Sequence, residues 1–494
     1  MRVALIVENR INVLTYAVRQ RVLAKYCGQL ALMLALLSVV PLGFAVLEAE
    51  WRAAVRYTIV CAGLLLAGGA LARLVAPIDI RDNEALTITA VAFLLTPLVM
   101  SWPLAAAGIA PVDALFEAVS GVTTTGLSSL GGIEQRSALF LFARAWMQWY
   151  GGLGIVVLSV ALLMGHHAAA RRLADPIESG EMLVATARTH AQHSLVVYLW
   201  LTLLGLALVW PLAGDGFTAL VHVLAAVSTG GFSSFDGSLG SMGGAAALAI
   251  MAVSLLGAVS LPLYWRMCYA RSGTRLRTLV GDVELRALIV GCLLVGGLLA
   301  LLAWWHGVDA PWYNGFLMGF SAQTTTGFGS MPVADMDPAS KLVMIVSMLV
   351  GGSVGSSAGG FKLLRLLILL RFLQFVILRS ALPSHAVAQP YLVGQKLESD
   401  DIQRALLLIL VFVGIVVLSW LPFVLLGYDP LDALFEVASA CGTVGLSSGI
   451  TRPELEVVLK GVLCFDMIAG RLEIIALLVV LYPRNWIGRR SRSQ

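Results

Sequence analysis

The sequence predicts an all-α integral membrane protein with ten transmembrane helices and four re-entrant pore loops, arranged as a pseudo-fourfold repeat around a central pore. Two observations carry this prediction. Hydrophobic residues make up 59% of the 494 residues and charged residues only 13%, whereas soluble domains have about 45–50% and about 25%. In addition, a short Thr-Gly stretch occurs four times, each time between two long apolar segments.

Ten segments are apolar and long enough to cross a bilayer core, which takes about 20 helical residues. Their approximate limits are 27–47, 56–76, 86–108, 138–164, 193–213, 243–267, 285–305, 341–375, 403–427 and 457–482. Four further apolar pieces are only about half that length, at 113–122, 217–227, 313–322 and 432–441. Because lipid cannot satisfy irregular backbone, these pieces are predicted to be re-entrant half-helices whose following loops line a cavity.

The repeated stretch reads VTTTGLSS, VSTGGFSS, QTTTGFGS and CGTVGLSS, at intervals of about a hundred residues. Each copy contains a glycine, with threonine two places earlier and Leu or Phe one place later; these glycines are Gly126, Gly231, Gly327 and Gly445. The outer copies are identical at 12 of 19 positions, counted from Pro111 and Pro430. One Thr-Gly stretch alone would be an ordinary turn, but four spaced copies indicate a shared function.

The repeat divides the chain into an accessory amino-terminal helical hairpin and four pore units. The hairpin is predicted at 1–80, and the units at 85–165, 190–268, 284–380 and 401–485. Basic residues are concentrated in the amino-terminal tail, including Arg2 and Arg10, and in the connections that ten spans would place on the same side. The positive-inside rule therefore predicts two cytoplasmic termini and half-helices that enter from outside.

Four equivalent loops around one axis can replace the hydration shell of a potassium ion with backbone carbonyls and add no net charge. Glycine permits the positive φ that aligned carbonyls need, and threonine is stiff at χ1. Each half-helix would direct its partly negative carboxyl end at the cation. The spans contain no cluster of acids, histidines or nucleophiles, so no enzyme activity is expected, and no cofactor other than potassium as the substrate.

These loops resemble those of the Trk/Ktr/HKT superfamily of potassium transporters, and most closely those of the TrkH-type bacterial potassium uptake subunit. The resemblance covers about residues 85–485 and implies a potassium-binding filter. In such proteins glycine in the first loop accompanies potassium preference and serine accompanies sodium preference, so Gly126 implies potassium. The implied filter residues are Thr124, Thr125, Gly126, Thr229, Gly230, Gly231, Thr325, Thr326, Gly327, Thr443, Val444 and Gly445.

The glycine-rich stretch GGSVGSSAGGF (351–361) lies in the middle of the eighth span. Each glycine costs about 1 kcal/mol relative to alanine in a helix, so a helix break is predicted there. The alternative is close helix packing of small residues. The resemblance implies a gating loop beneath the filter, formed by Gly351, Gly352, Gly355, Gly359, Gly360 and Lys362.

Arg471 lies within the last span, where a basic side chain costs at least about 2.5–3.5 kcal/mol unless it faces a pore or an acid. The resemblance implies that Arg471 is a pore arginine below the filter and part of the gate. The alternative is a structural ion pair with Glu473 or Asp466.

Two acids occur at matched positions in the first half-helix (Asp113, Glu117) and in the fourth (Asp432, Glu436). They could concentrate cations at the outer mouth. For Asp113 and Asp432 the preferred interpretation is that each caps the start of its helix.

The predicted function is channel-like potassium uptake across the bacterial inner membrane, with any proton symport left open. The resemblance implies a homodimer regulated by cytosolic nucleotide-binding subunits of the TrkA type, in contact with membrane lipid and not with nucleic acid. One alternative is a sodium or non-selective monovalent cation transporter of the same fold. Another is an ion-coupled carrier of an organic solute, which would show two inverted halves, whereas this chain shows four parallel repeats.

Overall fold

The computed structural model describes residues 17–77, 80–166, 183–269, 275–383, 389–392 and 395–486. The described residues form helices joined by turns and loops, with one short β-hairpin. In this hairpin the two-residue strand β1 (Tyr391–Leu392) pairs with the two-residue strand β2 (Gln395–Lys396). Arg2 and Arg10 of the amino-terminal tail lie outside the described residues.

The amino-terminal hairpin consists of helices α1 (Gln20–Leu47) and α2 (Trp51–Ala72). Two glycines let the helices touch: a Cβ on Gly28 would lie 2.6 Å from the backbone nitrogen of Ala72, and one on Gly68 would lie 2.9 Å from the carbonyl oxygen of Gly28. The accessory hairpin is therefore closely packed where these glycines meet.

The first two repeats run from Asp82 to Tyr269. The first contains α3 (Asp82–Leu104), the half-helix α4 (Pro111–Val122) and α5 (Ala138–His166). The second contains α6 (Leu183–Ala213), the half-helix α7 (Gly216–Val227), α8 (Gly244–Gly257) and α9 (Leu261–Tyr269). Both predicted half-helices are present, each within two residues of its expected limits.

The third and fourth repeats follow a short connecting helix α10 (Arg275–Gly281). The third contains α11 (Val283–Trp305), the half-helix α12 (Pro311–Thr324), α13 (Pro338–Val350) and α14 (Leu363–Ser380). The fourth contains α15 (Ser399–Leu425), the half-helix α16 (Pro430–Cys441), α17 (Val457–Arg471) and α18 (Ile475–Leu481). The unit boundaries proposed from sequence remain predictions.

The helix break predicted in the eighth span is confirmed. Residues 351–362 are non-helical between α13 and α14, and we name this segment the intramembrane loop. The span that follows the half-helix, which we call the second span of its repeat, is also interrupted in the second and fourth repeats. There α8 and α9 meet at 84°, and residues 472–474 separate α17 from α18. Gly257 and Pro262 flank the first of these breaks and Gly470 precedes the second, and sharp kinks in helices are concentrated at proline and glycine.

Six described helices are long and apolar enough to cross a membrane, and the bent pair α8–α9 would make a seventh. The six are α1, α2, α3, the part of α6 from Ala191, α11 and α15. All ten predicted segments are helical for most of their length, but the number of ten spans remains a prediction.

The half-helix α12 packs on α11 through glycines. A Cβ on Gly319 would lie 2.5 Å from the Cα of Gly296, and one on Gly315 would lie closer than 3.0 Å to the backbone of Ala300. The two backbones therefore touch, and the third half-helix lies closer to α11 than larger side chains would allow.

We predict that Gly319→Val destabilises the protein by about 1–3 kcal/mol or more, because the added side chain overpacks this contact. The measurement is thermal unfolding of the detergent-solubilised protein. Gly297→Val is the matched control, since a Cβ at Gly297 has no atom within 4 Å. Equal melting temperatures for the two variants would contradict the packing role.

Candidate functional site

The backbone at the end of each half-helix adopts the same conformation in all four repeats. The repeated threonines (Thr124, Thr229, Thr325, Thr443) have φ between 48° and 54°, and the repeated glycines have φ between 72° and 98°. Between them, one N–H donates to the carbonyl five residues earlier, in the pairs Thr125–Ser120, Gly230–Ala225, Thr326–Ser321 and Val444–Ser439. Left-handed threonine is rare, so its recurrence four times marks a specific backbone geometry.

The four loops contact one another in a closed ring. An ideal Cβ on each repeated glycine would lie closer than 3.0 Å to a carbonyl oxygen of the next loop, a distance that real Cβ atoms essentially never show. The pairs are Gly126 with Gly230, Gly231 with Thr326, Gly327 with Val444, and Gly445 with Thr125. The loops therefore follow chain order around one axis, and at these four places any side chain would have to displace the backbone of the next loop.

A cavity of about 550 Å³ opens on one side of the ring, and we name it the outer vestibule after the orientation predicted from the sequence. All four repeated glycines line it, together with polar groups such as Ser128, Ser233 and the exposed carboxylate of Asp236. The repeated loops thus form the floor of a water-accessible funnel.

The intramembrane loop covers the opposite side of the ring. Ser357 Oγ donates to the carbonyl of Val227 at 3.0 Å, which is the last residue of α7. The Gly359 N–H donates to Thr325 Oγ1 at 2.7 Å, and the Gly360 N–H donates to the Gly442 carbonyl at 3.1 Å. The loop therefore lies directly against the inner ends of the second, third and fourth repeated loops.

Arg471 contacts this loop and forms no ion pair with Glu473 or Asp466 among the described residues. Its Nη1 donates to the Ser357 carbonyl at 2.6 Å, while Nε and Nη2 are buried without a hydrogen-bond partner. Glu473 instead binds Arg365, and Asp466 accepts a hydrogen bond from Ser419 at 2.5 Å. The alternative of a structural pair therefore finds no support in the geometry.

The inner threonine hydroxyls fall into two classes. Thr229 and Thr325 are engaged by the intramembrane loop, through Ser357 Oγ at 3.3 Å and the Gly359 N–H. The hydroxyls of Thr124 and Thr443 are buried without a hydrogen-bond partner. Two polar oxygens at the inner end of the ring are thus available to a ligand.

Comparison with known proteins places the chain in a family. Residues 74–304 and 308–486 match the family TrkH, described as cation transport protein. The chain belongs to this family. Among its relatives, the Trk system potassium uptake protein TrkH of Halomonas elongata is 30% identical over 500 residues, covering 94% of this chain and 99% of the relative. The protein of the same name from Escherichia coli K12 is 28% identical over 386 residues, covering 76% and 79%.

A solved structure agrees with this assignment. The crystal structure of the potassium transporter TrkH from Vibrio parahaemolyticus matches with a TM-score of 0.84 and 25% sequence identity, over 95% of this chain and all of that chain. The predicted resemblance and the all-α membrane fold are therefore confirmed, and the chain is a multi-pass membrane protein.

Within this TrkH-family chain, the helix-cap interpretation of two acids is wrong. The N-cap residues are Ala110 and Asp429, and the Asp429 side chain accepts from two backbone N–H groups of α16. Asp113 and Asp432 lie within the first turn and each accepts a hydrogen bond from a buried lysine of another repeat, Lys460 or Lys341, at 2.7 Å. Both carboxylates therefore join neighbouring repeats.

Glu117 and Glu436 do not face the outer vestibule, because both are fully buried. Glu117 forms an ion pair with Arg144 Nε at 2.8 Å, and the Arg144 guanidinium lies 3.8 Å from the centre of the Phe232 ring. Glu436 is surrounded by hydroxyl and backbone donors. The carboxylates of Glu117 and Glu436 therefore hold the loops, and their burial gives no support to a role in concentrating cations at the outer mouth.

Sequence reasoning missed two buried amides that hold loops. Gln148 on α5 accepts from the Phe232 N–H at 3.1 Å and donates to the Gly230 carbonyl, one of the predicted filter oxygens. Gln323 on α12 donates to the Gly351 carbonyl at 2.8 Å, at the start of the intramembrane loop. A glutamine within an apolar helix is a signal that could have pointed to both residues. Their hydrogen-bond partners, however, lie in other elements and cannot be identified from the sequence.

We predict that Arg144→Met destabilises the protein by about 3–5 kcal/mol, because it leaves the buried Glu117 carboxylate without its counter-charge. Thermal unfolding in detergent measures the effect. Arg452→Met is the control, since the pair of Arg452 and Glu454 is exposed and such pairs contribute about 0–1 kcal/mol. Similar losses for both variants would contradict the role of the buried pair.

Proposed function

We propose that this chain takes up potassium across the inner membrane through one channel-like pore, which the four repeated loops surround. The observation that carries the proposal is the closed ring of glycine-to-carbonyl contacts between successive loops. Such a ring can present backbone oxygens to a single cation from all sides. The relatives named above are potassium uptake proteins, which supports the same substrate here.

The filter would consist of backbone oxygens from the residues beside each repeated glycine. Potassium loses its water there, so the oxygens must replace a full hydration shell. Each half-helix ends at its loop and adds a partly negative carboxyl end. The unpartnered hydroxyls of Thr124 and Thr443 would supply further oxygens at the inner end. We assign the potassium sites to the twelve residues predicted from sequence.

The intramembrane loop would act as the gate. It is hydrogen-bonded to three of the four repeated loops, and Arg471 holds its Ser357 carbonyl from below. A buried guanidinium with two unpartnered nitrogens would repel a cation on the axis. Displacement of the loop would open the path and move this charge aside.

The proposal also covers the assembly of the protein and its orientation in the membrane. Relatives are named as members of a Trk system, and we propose a homodimer with cytosolic nucleotide-binding subunits of the TrkA type on the basic inner face. Both termini would be cytoplasmic, and the four pore units would have the limits predicted from sequence. The chain would be a transporter without enzymatic activity or a bound cofactor.

A sodium or non-selective cation transporter is the second candidate. It is favoured by one observation: the oxygens paired around the ring come from Thr125, Gly230, Thr326 and Val444, four non-identical loops. Uptake of one ion in the presence of another separates the two candidates. A carrier of an organic solute is disfavoured, because the four loops close on one another in chain order and not as two inverted halves.

We predict that Gly126→Ser lowers the preference for potassium over sodium, because the new side chain would collide with the Gly230 carbonyl. The measurement is ion-competition uptake in a host that lacks its own potassium uptake systems. Gly131→Ser is the control within the same loop, since a Cβ there meets no atom within 4 Å. Unchanged ion preference in Gly126→Ser would contradict the filter assignment.

We predict that Arg471→Ala, or deletion of residues 355–359, raises cation flux in liposomes that contain this chain alone. Either change removes the contact between Arg471 and the intramembrane loop, so the closed position is less stable. Arg379→Ala, at an exposed site near the end of α14, is the control. Flux equal to that of the unmodified protein in both variants would remove the gating account.

A further inference from the structure

One position in each half-helix, nine residues before the repeated glycine, contacts the loop beyond that glycine. We name it the pillar position, and its residues are Glu117, His222, Met318 and Glu436. All four side chains are fully buried. The shared position is invisible as a motif because its residue types differ.

In three repeats a serine two places after the glycine donates to the pillar residue. The distances are 2.7 Å for Ser128 to Glu117, 2.9 Å for Ser233 and His222, and 2.9 Å for Ser447 to Glu436. The same serine oxygen accepts the N–H two residues further on, in Leu130, Phe235 and Gly449. Each serine is therefore a relay between the half-helix and the outer segment of its loop.

His222 takes part as an acceptor. Its Nδ1 lies 2.8 Å from the Thr218 carbonyl, which can only accept, so Nδ1 carries the proton. In the neutral imidazole Nε2 then accepts from the Ser233 hydroxyl. Like the two glutamates, the imidazole holds its loop by accepting a hydrogen bond.

The third repeat lacks this relay. Gly329 replaces the serine, and the pillar residue Met318 offers only its sulfur, 3.4 Å from the Ser330 N–H. Thioether sulfur is a weak acceptor. The Gly329 N–H instead donates at 3.2 Å to Ser238 of the second repeat. The third loop is thus the one least firmly attached to its own half-helix.

We propose that the pillar residues are positioning residues for ion selectivity, which they control by holding the outer end of each filter loop. This inference rests on the proposed potassium function. The inner end of each loop is already held by the hydrogen bond to the carbonyl five residues earlier. With both ends held, the oxygens between them cannot close around the smaller sodium ion without losing hydrogen bonds.

The strength of the attachment sets the expected order of effects. Glu436 accepts from Ser447, Ser448 and Thr451 and has no basic partner among the described ion pairs. In Glu436→Gln an amide NH₂ would face donors, so hydrogen bonds are lost without an unpaired charge being created. Met318→Leu removes only the weak sulfur contact and keeps the volume.

The test is the permeability ratio of potassium to sodium, measured in liposomes with the full chain. We expect Glu436→Gln to lower the ratio about threefold to tenfold, which corresponds to the loss of one or two net hydrogen bonds. Met318→Leu should change it by less than about twofold. Ser447→Ala tests the relay in a second, milder way. Ser330→Ala is its matched control, because the buried Ser330 hydroxyl has no hydrogen-bond partner.

A variant that attaches the third loop more firmly to its half-helix tests the opposite effect. Gly329 has room for a side chain: a Cβ there would lie 3.5 Å from the nearest atom and 4.0 Å from Met318 Sδ. The double variant Met318→His with Gly329→Ser would copy the relay of the second repeat into the third. We expect it to raise the permeability ratio.

The outcomes separate the inference from the function on which it rests. If neither the unmodified protein nor the variant Arg471→Ala, in which the proposed gate is weakened, passes potassium, the proposed function fails. If potassium passes but neither Glu436→Gln nor Ser447→Ala changes the ratio beyond Ser330→Ala, the inference fails and the function remains. Should Glu436→Gln not reach the membrane, Ser447→Ala decides alone. A larger effect of Met318→Leu than of Ser447→Ala would also overturn the proposed order.

Discussion

The close approach of each repeated glycine to the carbonyl of the next loop is the constraint on which the rest of this structure depends. A side chain at Gly126, Gly231, Gly327 or Gly445 would collide with that carbonyl, so glycine at these positions lets the four loops close into a ring without displacing one another. The half-helices must then converge on the ring. Second-span glycines permit this, because Cβ atoms on Gly151, Gly257 and Gly470 would collide with the carbonyl ends of α4, α7 and α16.

Buried charges are compensated to different extents on the two sides of the ring. On the outer side, each half-helix acid meets a lysine, an arginine or several hydroxyls, as in Asp113 with Lys460 and Glu117 with Arg144. On the inner side, Arg471 has one hydrogen bond to the intramembrane loop and two unpartnered nitrogens. Because an unsatisfied buried charge is costly, the charge on the inner side is compensated less well than the charges on the outer side.

The pseudo-fourfold symmetry is broken at the intramembrane loop, the proposed gate. The second span of the first repeat is one helix, α5, whereas those of the other three are interrupted. Lys362, Glu473 and Ile474 near the intramembrane loop have positive φ although none is glycine. A β-branched residue such as Ile474 is strained in this region, and backbone strain of this kind is concentrated in switch regions. The outer segments of the repeated loops, in contrast, are attached to their half-helices by hydrogen bonds.

The sequence alone determined the membrane fold class, the four half-helices, the glycine loops and the break at 351–362, because composition, segment length and glycine content act locally along the chain. It could not show the order of the loops in the ring, the serine relays or the partners of the acids. Asp432 and Asp429 are equally plausible caps by residue type, and only the packed structure assigns the cap to Asp429 and the lysine to Asp432. Such pairings join residues up to 347 positions apart, so they depend on how the repeats pack and not on any local pattern.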